Sequence, residues 1–248
     1  MGTPDYAKEL TSCLHFNSVY CEKHGYTHLA TLPPLPGIHA GFQKPYVLLR
    51  NIHRFDYVMW VDVDASFINH DKKIEDIIDT NSDREVWYCG DPACWHLNSG
   101  VLIFKNSINA INLLWEWWGS CPNDPNYEWV RGQDGDQIRL ERLLFPGWVP
   151  SDGTPCDSFG EFALDPSIMN TYPKNLKAGD FLIHFMGYRM VDIRQHMTFL
   201  VKNKLSDNQY VGKYLETLGG MLPDALDREK SGDSREIKTE DVQKRMLL

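Results

Sequence analysis

The sequence predicts an α/β fold, a mixed central sheet flanked by helices, on three observations. Helix-like and strand-like stretches alternate along most of the chain. The apolar run Tyr57-Val58-Met59-Trp60-Val61 turns acidic at Asp62, as a buried central strand does where its polar residues begin at the carboxyl end. Hydrophobic residues make up 42% of the 248 positions and include eight tryptophans, enough for a substantial core. One domain covering residues 1–222 is the simplest division.

Residues 6–23 set Leu10, Leu14, Val19 and Tyr20 among polar residues and stop at Gly25, the pattern of a helix ended by glycine. A β-prone run follows at 26–32, closed by Pro33-Pro34, and 40–55 reads as a second helix bearing Tyr46, Leu48, Leu49 and Ile52. After the strand at 57–61 come a short helix at 72–78, a strand at 85–89 and an apolar run at 101–104 directly behind Asn98-Ser99-Gly100. Residues 108–118 and 136–145 are amphipathic helices. In the first, Leu113, Leu114, Trp117 and Trp118 share a face, so its tryptophans read as core before they read as sugar-stacking rings. Residues 181–185 form the last strand. From Asp224 onward charges of both signs crowd together with few large apolar residues, which predicts a charged, mobile tail or an exposed helix over 223–248.

Composition excludes several classes of function. A formal charge of −9 and a pI near 5.4 disfavour nucleic acid and anionic membrane surfaces as partners, since both select basic stripes. No apolar run approaches the roughly 18 residues of a membrane span, and residues 1–10 lack the basic-then-apolar layout of a signal peptide, so the chain reads as soluble. Six cysteines without C-x-x-C spacing make a structural zinc site a poor fit. Cys89 and Cys94 are close enough to bridge a loop in an oxidising lumen, but buried thiols are the simpler reading.

Asp62 and Asp64 lie one residue apart, and on extended chain their side chains point the same way. Two carboxylates at the end of an apolar strand repel each other and resist burial, which a bound hard cation such as Mg²⁺ or Mn²⁺ relieves. The plain alternative is a solvated acidic turn. Far downstream, His184 follows Phe181-Leu182-Ile183 near a strand end and precedes Gly187, where backbone can approach a ligand closely. An imidazole beside two carboxylates tilts the metal toward Mn²⁺. His24 and His28 are four apart, but Gly25 interrupts the helix that would join them, so they make no second site.

In chain order, Tyr20-Cys-Glu-Lys-His-Gly-Tyr26, Lys44-Pro45-Tyr-Val-Leu-Leu-Arg50, Trp60-Val-Asp62-Val-Asp64-Ala, Leu97-Asn98-Ser-Gly100-Val, Gly135-Asp136-Gln137 and His184-Phe-Met-Gly187 resemble the GT-A family of retaining α-galactosyl-, α-mannosyl- and xyloglucan α-xylosyltransferases. The resemblance covers residues 6–188. It implies a Rossmann-like GT-A fold and a nucleotide-sugar donor, with a UDP-hexose slightly preferred and an oligosaccharide or glycoprotein as acceptor. It implies that Asp62 and Asp64 hold Mn²⁺ or Mg²⁺ with His184 as third ligand. Asn98 and Gly100 then match the stretch lining the sugar and acceptor pocket, with Gly187 as a close backbone approach. Asp136 and Gln137 match a pair beside the donor's anomeric carbon, and Lys44 matches a lysine of the donor region.

The chain also departs from that pattern. The family's first strand, which contributes to the base pocket, has no counterpart before the helix that starts at Tyr6, so Asp5 and Tyr6 are the only base contacts on offer. Nor do these residues lead to the expectation of the membrane anchor typical of eukaryotic members. The resemblance implies a Golgi location if an anchor has been lost and a cytoplasmic one otherwise.

Sugar transfer from a nucleotide diphosphate requires the leaving group's charge to be neutralised, which a divalent cation does without proton transfer. Asp136 or Gln137 would stabilise the oxocarbenium-like sugar or act as nucleophile, so retention by same-face attack and by a covalent intermediate both stay open. Asp134 and Asp136 are alternatively helix-capping residues. Trp148 and Asp152-Gly153 border an acceptor groove by position alone. Two rival functions remain: a haloacid dehalogenase-like phosphatase with Asp62 as nucleophile, and a catalytically inactive sugar-binding module.

Overall fold

The computed structural model describes residues 11–30, 35–80, 83–91, 95–122, 135–146, 163–177, 179–187 and 193. Its first helix, α1 (Thr11–His24), ends where the sequence places the stop. Gly25 takes φ +73°, its N–H bonds the Glu22 carbonyl (3.3 Å) and the Tyr26 N–H bonds that of Cys21 (2.8 Å). This is the Schellman arrangement, in which a left-handed glycine satisfies the last free carbonyls. The helix expected over 40–55 divides into a 3₁₀ turn, Gly41–Gln43, and α2 (Lys44–Ile52). Pro45 explains the division: it has no N–H to extend a helix backward and belongs in a first turn.

The larger sheet contains β1 (Tyr57–Val61), β3 (Val86–Asp91) and β4 (Trp95–Lys105) in the order β1-β4-β3, antiparallel throughout. A second ladder pairs β2 (Ala65–Phe67) with β5 (Leu182–His184), also antiparallel. Parallel pairing among the described residues is confined to the single bridges Cys89–Leu164 and Thr171–Ile183. The helices α3 (Ile74–Thr80), α4 (Ile108–Ser120), α5 (Asp136–Leu144) and α6 (Pro166–Met169) complete the set.

Strand alternation splits the core into two layers. Val58, Trp60, Leu102 and Phe104 pack with Leu48 and Ile52 of α2, Leu114 and Trp117 of α4 and Leu140 of α5. Met59, Val61, Val101 and Ile103 face Tyr20 of α1, Ile77 and Ile78 of α3, and the second ladder through Phe67 and Leu182. Asn17 of α1 clasps β2, its amide donating to the Ala65 carbonyl (3.0 Å) and accepting from the Phe67 N–H (3.0 Å). Trp115, by contrast, is 59% exposed, and Trp118 lies against Tyr46 on the rim of the core.

Two expectations are corrected. Residues 26–30 join no ladder, so the strand expected over 26–32 does not form within the described part of that range. Nor is β1 a buried central strand: among the described residues it pairs only with β4, and Tyr57 is 37% exposed. The two deviations share a cause. A cavity of about 600 Å³ is lined by residues 26–30 on one side and by β1 on another, so neither segment supplies the other's hydrogen bonds. The expectation of buried thiols is met at Cys89, which is free and buried; Cys13, Cys21 and Cys121 are likewise free and buried. Residues 223–248 and the limit at 222 lie outside the described residues.

The edge of β1 that is unpaired among the described residues has a measurable signature. The Asp56 carbonyl accepts from Asn106 and the Asp62 N–H donates to Gly100, so alternation turns the backbone groups of Val58 and Trp60 toward β4 and those of Tyr57, Met59 and Val61 away from it. Amide exchange at Tyr57, Met59 and Val61 is therefore expected to be on the order of ten- to a hundredfold faster than at Val58 and Trp60. Equal protection along the strand would contradict this edge assignment.

Candidate active site

The chain leaves β1 at Val61, turns, and re-enters a ladder at Ala65. The turn is closed by the Ala65 N–H on the Asp62 carbonyl (3.0 Å). Asp62 and Asp64 thus occupy a turn between two ladders, a correction to the extended pair expected from the sequence. Two registers bring the side chains together. Asp62 is held to the larger sheet by its N–H on the Gly100 carbonyl (2.8 Å), and Asp64 to the smaller ladder by its carbonyl, which accepts from the Phe185 N–H (3.0 Å). Across that ladder His184 pairs with Ala65. The result is a cluster in which one ligand atom each of Asp62, Asp64 and His184 lies within 4.8 Å of the others. His184 Nε2 stands 3.4 Å from Asp64 Oδ1, and the imidazole is buried.

Lys44, the first residue of α2, reaches under this cluster. Its ammonium donates to Asp62 Oδ2 (3.0 Å) and to the Ser99 carbonyl and hydroxyl (3.3 Å each), and pairs with Asp136 Oδ2 at 3.0 Å. Trp60 donates its indole N–H to Asp62 Oδ1 (2.8 Å). Asp136 opens α5, accepts from the Ser99 hydroxyl (2.9 Å), and has its backbone carbonyl held by the Trp117 indole (2.9 Å). Burial alone would depress the Lys44 ammonium, but the two carboxylates outweigh it and raise the pKa. For Asp136 burial pushes upward and Lys44 pulls harder downward, leaving the carboxyl below its ordinary value. Asp64 is lowered likewise, burial being outweighed mainly by the facing His184.

A break in register gives β4 its shape here. Tyr88 pairs with Leu102, yet Cys89 pairs with Asn98, so the stretch 99–101 bulges from the ladder. The bulge aims Ser99 at Lys44 and brings Gly100 against His184. A Cβ on Gly100 would fall 2.0 Å from His184 Cε1, so glycine is what lets the imidazole in. Asn98, also buried, accepts from the Gly100 N–H (2.9 Å) and donates to Asp91 Oδ2 (2.9 Å). Gln137 accepts from the Ser99 N–H (3.2 Å), and its amide lies 3.5 Å from the same Asp91 oxygen.

The structure therefore gathers Lys44, Asp62, Asp64, Asn98, Gly100, Asp136, Gln137 and His184 into one connected group. Gly187 sits apart in the exposed turn after β5 with φ +74°. Asp5, Tyr6, Asp134, Trp148 and Asp152-Gly153 lie outside the described residues. Sequence reasoning missed Trp60, Ser99, Asp91 and Asn170 as members. Ser99 and Trp60 stood inside quoted motifs and needed only the question of which way they point. Asp91 and Asn170 carried no local signal. The donor set fits a small divalent cation: two carboxylates and one imidazole with ligand atoms already converged.

No family model and no curated protein matches the chain. Among solved structures it is similar to a glycosyltransferase involved in the glycosylation of the major capsid of PBCV-1, with a TM-score of 0.54 and 18% identity, covering 80% of this chain and 96% of that one. The two share a fold of mixed α/β character. No helix among the described residues is long and apolar enough to cross a membrane.

Proposed function

We propose that this chain is a metal-dependent glycosyltransferase that moves a hexose or pentose from a UDP- or GDP-sugar to a glycan hydroxyl with retention of configuration. The observation that carries the reading is the convergence of Asp62, Asp64 and His184 from two separate ladders onto one point. The likeness of fold to a viral capsid glycosyltransferase supports it. These three residues would hold Mn²⁺ or Mg²⁺, which supplies Lewis-acid neutralisation of a diphosphate leaving group. Lys44 contributes a fixed positive charge beneath the acidic pair and holds Asp62 in place. Asp136 and Gln137, braced on Ser99, would border the anomeric carbon. Asn98 and Gly100 would wall the sugar pocket and Gly187 lie beside the donor, with an oligosaccharide or glycoprotein as acceptor.

A phosphatase using Asp62 as nucleophile would need a carboxylate oxygen free to attack. Here Oδ1 accepts from Trp60 and Oδ2 from Lys44 and each keeps one lone pair, so what favours the transferase is the His184 imidazole, which completes a cation site with Asp62 and Asp64. The test uses water as acceptor. Mn²⁺-dependent hydrolysis of a panel of UDP- and GDP-sugars is expected for the intact chain, and Asp64→Ala is expected to lower it by at least about a hundredfold. Hydrolysis of a generic aryl phosphate in place of any nucleotide sugar would sink the proposal. Sugar binding without turnover would favour the inactive module.

A further inference from the structure

We infer that Asn170 is a positioning residue that fixes the tautomer of His184, so that the Nε2 lone pair faces Asp62 and Asp64. Asn170 follows α6 and is wholly buried. The backbone around it is pinned: its N–H bonds the Pro166 carbonyl (2.7 Å), and Thr171 beside it accepts from the His184 N–H (2.9 Å) and donates to the Leu182 carbonyl (3.0 Å). The side chain is thereby delivered to the far side of the imidazole, with Oδ1 2.9 Å from His184 Nδ1. With Asn170 Oδ1 as acceptor, this contact places the proton on Nδ1 and leaves Nε2 unprotonated in the neutral ring. Nε2 is the nitrogen 3.4 Å from Asp64 Oδ1.

The choice of asparagine has a cost that points to this role. Among the described residues its Nδ2 is buried and has no hydrogen-bond partner, an unsatisfied donor that costs stability. An apolar side chain of similar size would avoid that penalty but would leave the imidazole free to carry its proton on either nitrogen. Gly100 completes the device from the third side, where the ring touches the backbone of β4. Metal-ligating histidines need their second nitrogen held in this way, and loss of the holding group typically weakens metal binding by about 10–100-fold.

This inference rests on the proposed cation site, and the two separate experimentally. Nitrogen-15 spectra of the metal-free protein, at a pH where the ring is neutral, are expected to show His184 protonated at Nδ1. Signals from the Nε2–H form would overturn the assignment whether or not metal binds. Direct Mn²⁺ titration is expected to show Asn170→Ala weaker by about 10–100-fold and Asn170→Asp, which keeps the acceptor, close to the intact chain. Equal affinity of Asn170→Ala and the intact chain, with His184→Ala still abolishing binding, would refute the positioning role and leave the cation site standing. If the intact chain binds no Mn²⁺, the cation site falls and the tautomer spectrum alone decides for or against Asn170. Thermal melts of both variants establish that each is folded.

Discussion

Lys44→Met is expected to destabilise the fold by about 3–5 kcal/mol, the range for removing one partner of a buried ion pair. The size follows from what the ammonium leaves behind. Asp62 and Asp136 would face one another with no cation between them, on side chains that are only 22% and 19% exposed. The Ser99 carbonyl and hydroxyl would each lose a donor as well. Methionine fills the volume, so packing contributes little and the loss is electrostatic. Equilibrium denaturation reads it directly, and a loss under about 1 kcal/mol would show that the triad carries no such strain.

The pH dependence gives a second reading. In the intact chain the Asp136 carboxyl is held below its ordinary value, so its contribution is fully present above the unfolded value of 3.8 and is lost as pH falls through the folded one. The Lys44 ammonium is raised, so its contribution is present below the unfolded value of 10.5 and lost only as pH climbs beyond it. Without Lys44, burial, the largest influence on Asp136, is opposed only by the hydrogen bonds from Ser99 and the backbone, and the carboxyl rises. The variant should then lose stability as pH rises through the mildly acidic range, the reverse of the intact chain. Asp136→Asn combined with Lys44→Met should cost less than the two single changes together, because the second removes the charge that the first left unpaired.

The contrast between what the sequence disclosed and what it did not follows the range of the interactions. Helix α1, its Gly25 stop and the apolar stripe of α4 are legible because a few neighbouring residues determine each. β5 falls within the strand expected over 181–185, whereas the three-residue β2 and the four-residue α6 lie below any periodic window, yet β2 pairs with the strand that carries His184 and α6 leads into Asn170. Asp62 and Asp64 stand in a turn where their spacing led to the expectation of an extended pair. Their spacing suits a strand, and only the change from one ladder to the other makes it a turn. Asp91 and Asn98 meet within one hairpin, but only through the bulge in β4, and Asn170 meets His184 only through the Thr171 pairing. The strand expected at 26–32 failed for the complementary reason: β-propensity needs a partner edge, and across the cavity the described residues provide none.

Gly100→Ala should be the smallest change with the largest effect on the cation site. An added methyl would sit 2.0 Å from His184 Cε1, 2.8 Å from Nδ1 and 2.9 Å from Asn98 Oδ1. Neither side can yield cheaply. The backbone at Gly100 is held by Asp62, while the imidazole is held by Asn170 and by the β2–β5 ladder. Overpacking of this kind costs about 1–3 kcal/mol, and relief by swinging His184 away would remove a ligand outright. Mn²⁺ affinity is therefore expected to fall by a hundredfold or more, on the order of the loss from His184→Ala itself. Gly119→Ala supplies the control: a Cβ there meets nothing within 4 Å, and in the last turn of α4 alanine should change stability by less than about 1 kcal/mol with no change in metal binding. If Gly100→Ala binds Mn²⁺ as tightly as Gly119→Ala does, His184 is not part of the site, and the cluster reduces to a pair of carboxylates over a buried lysine.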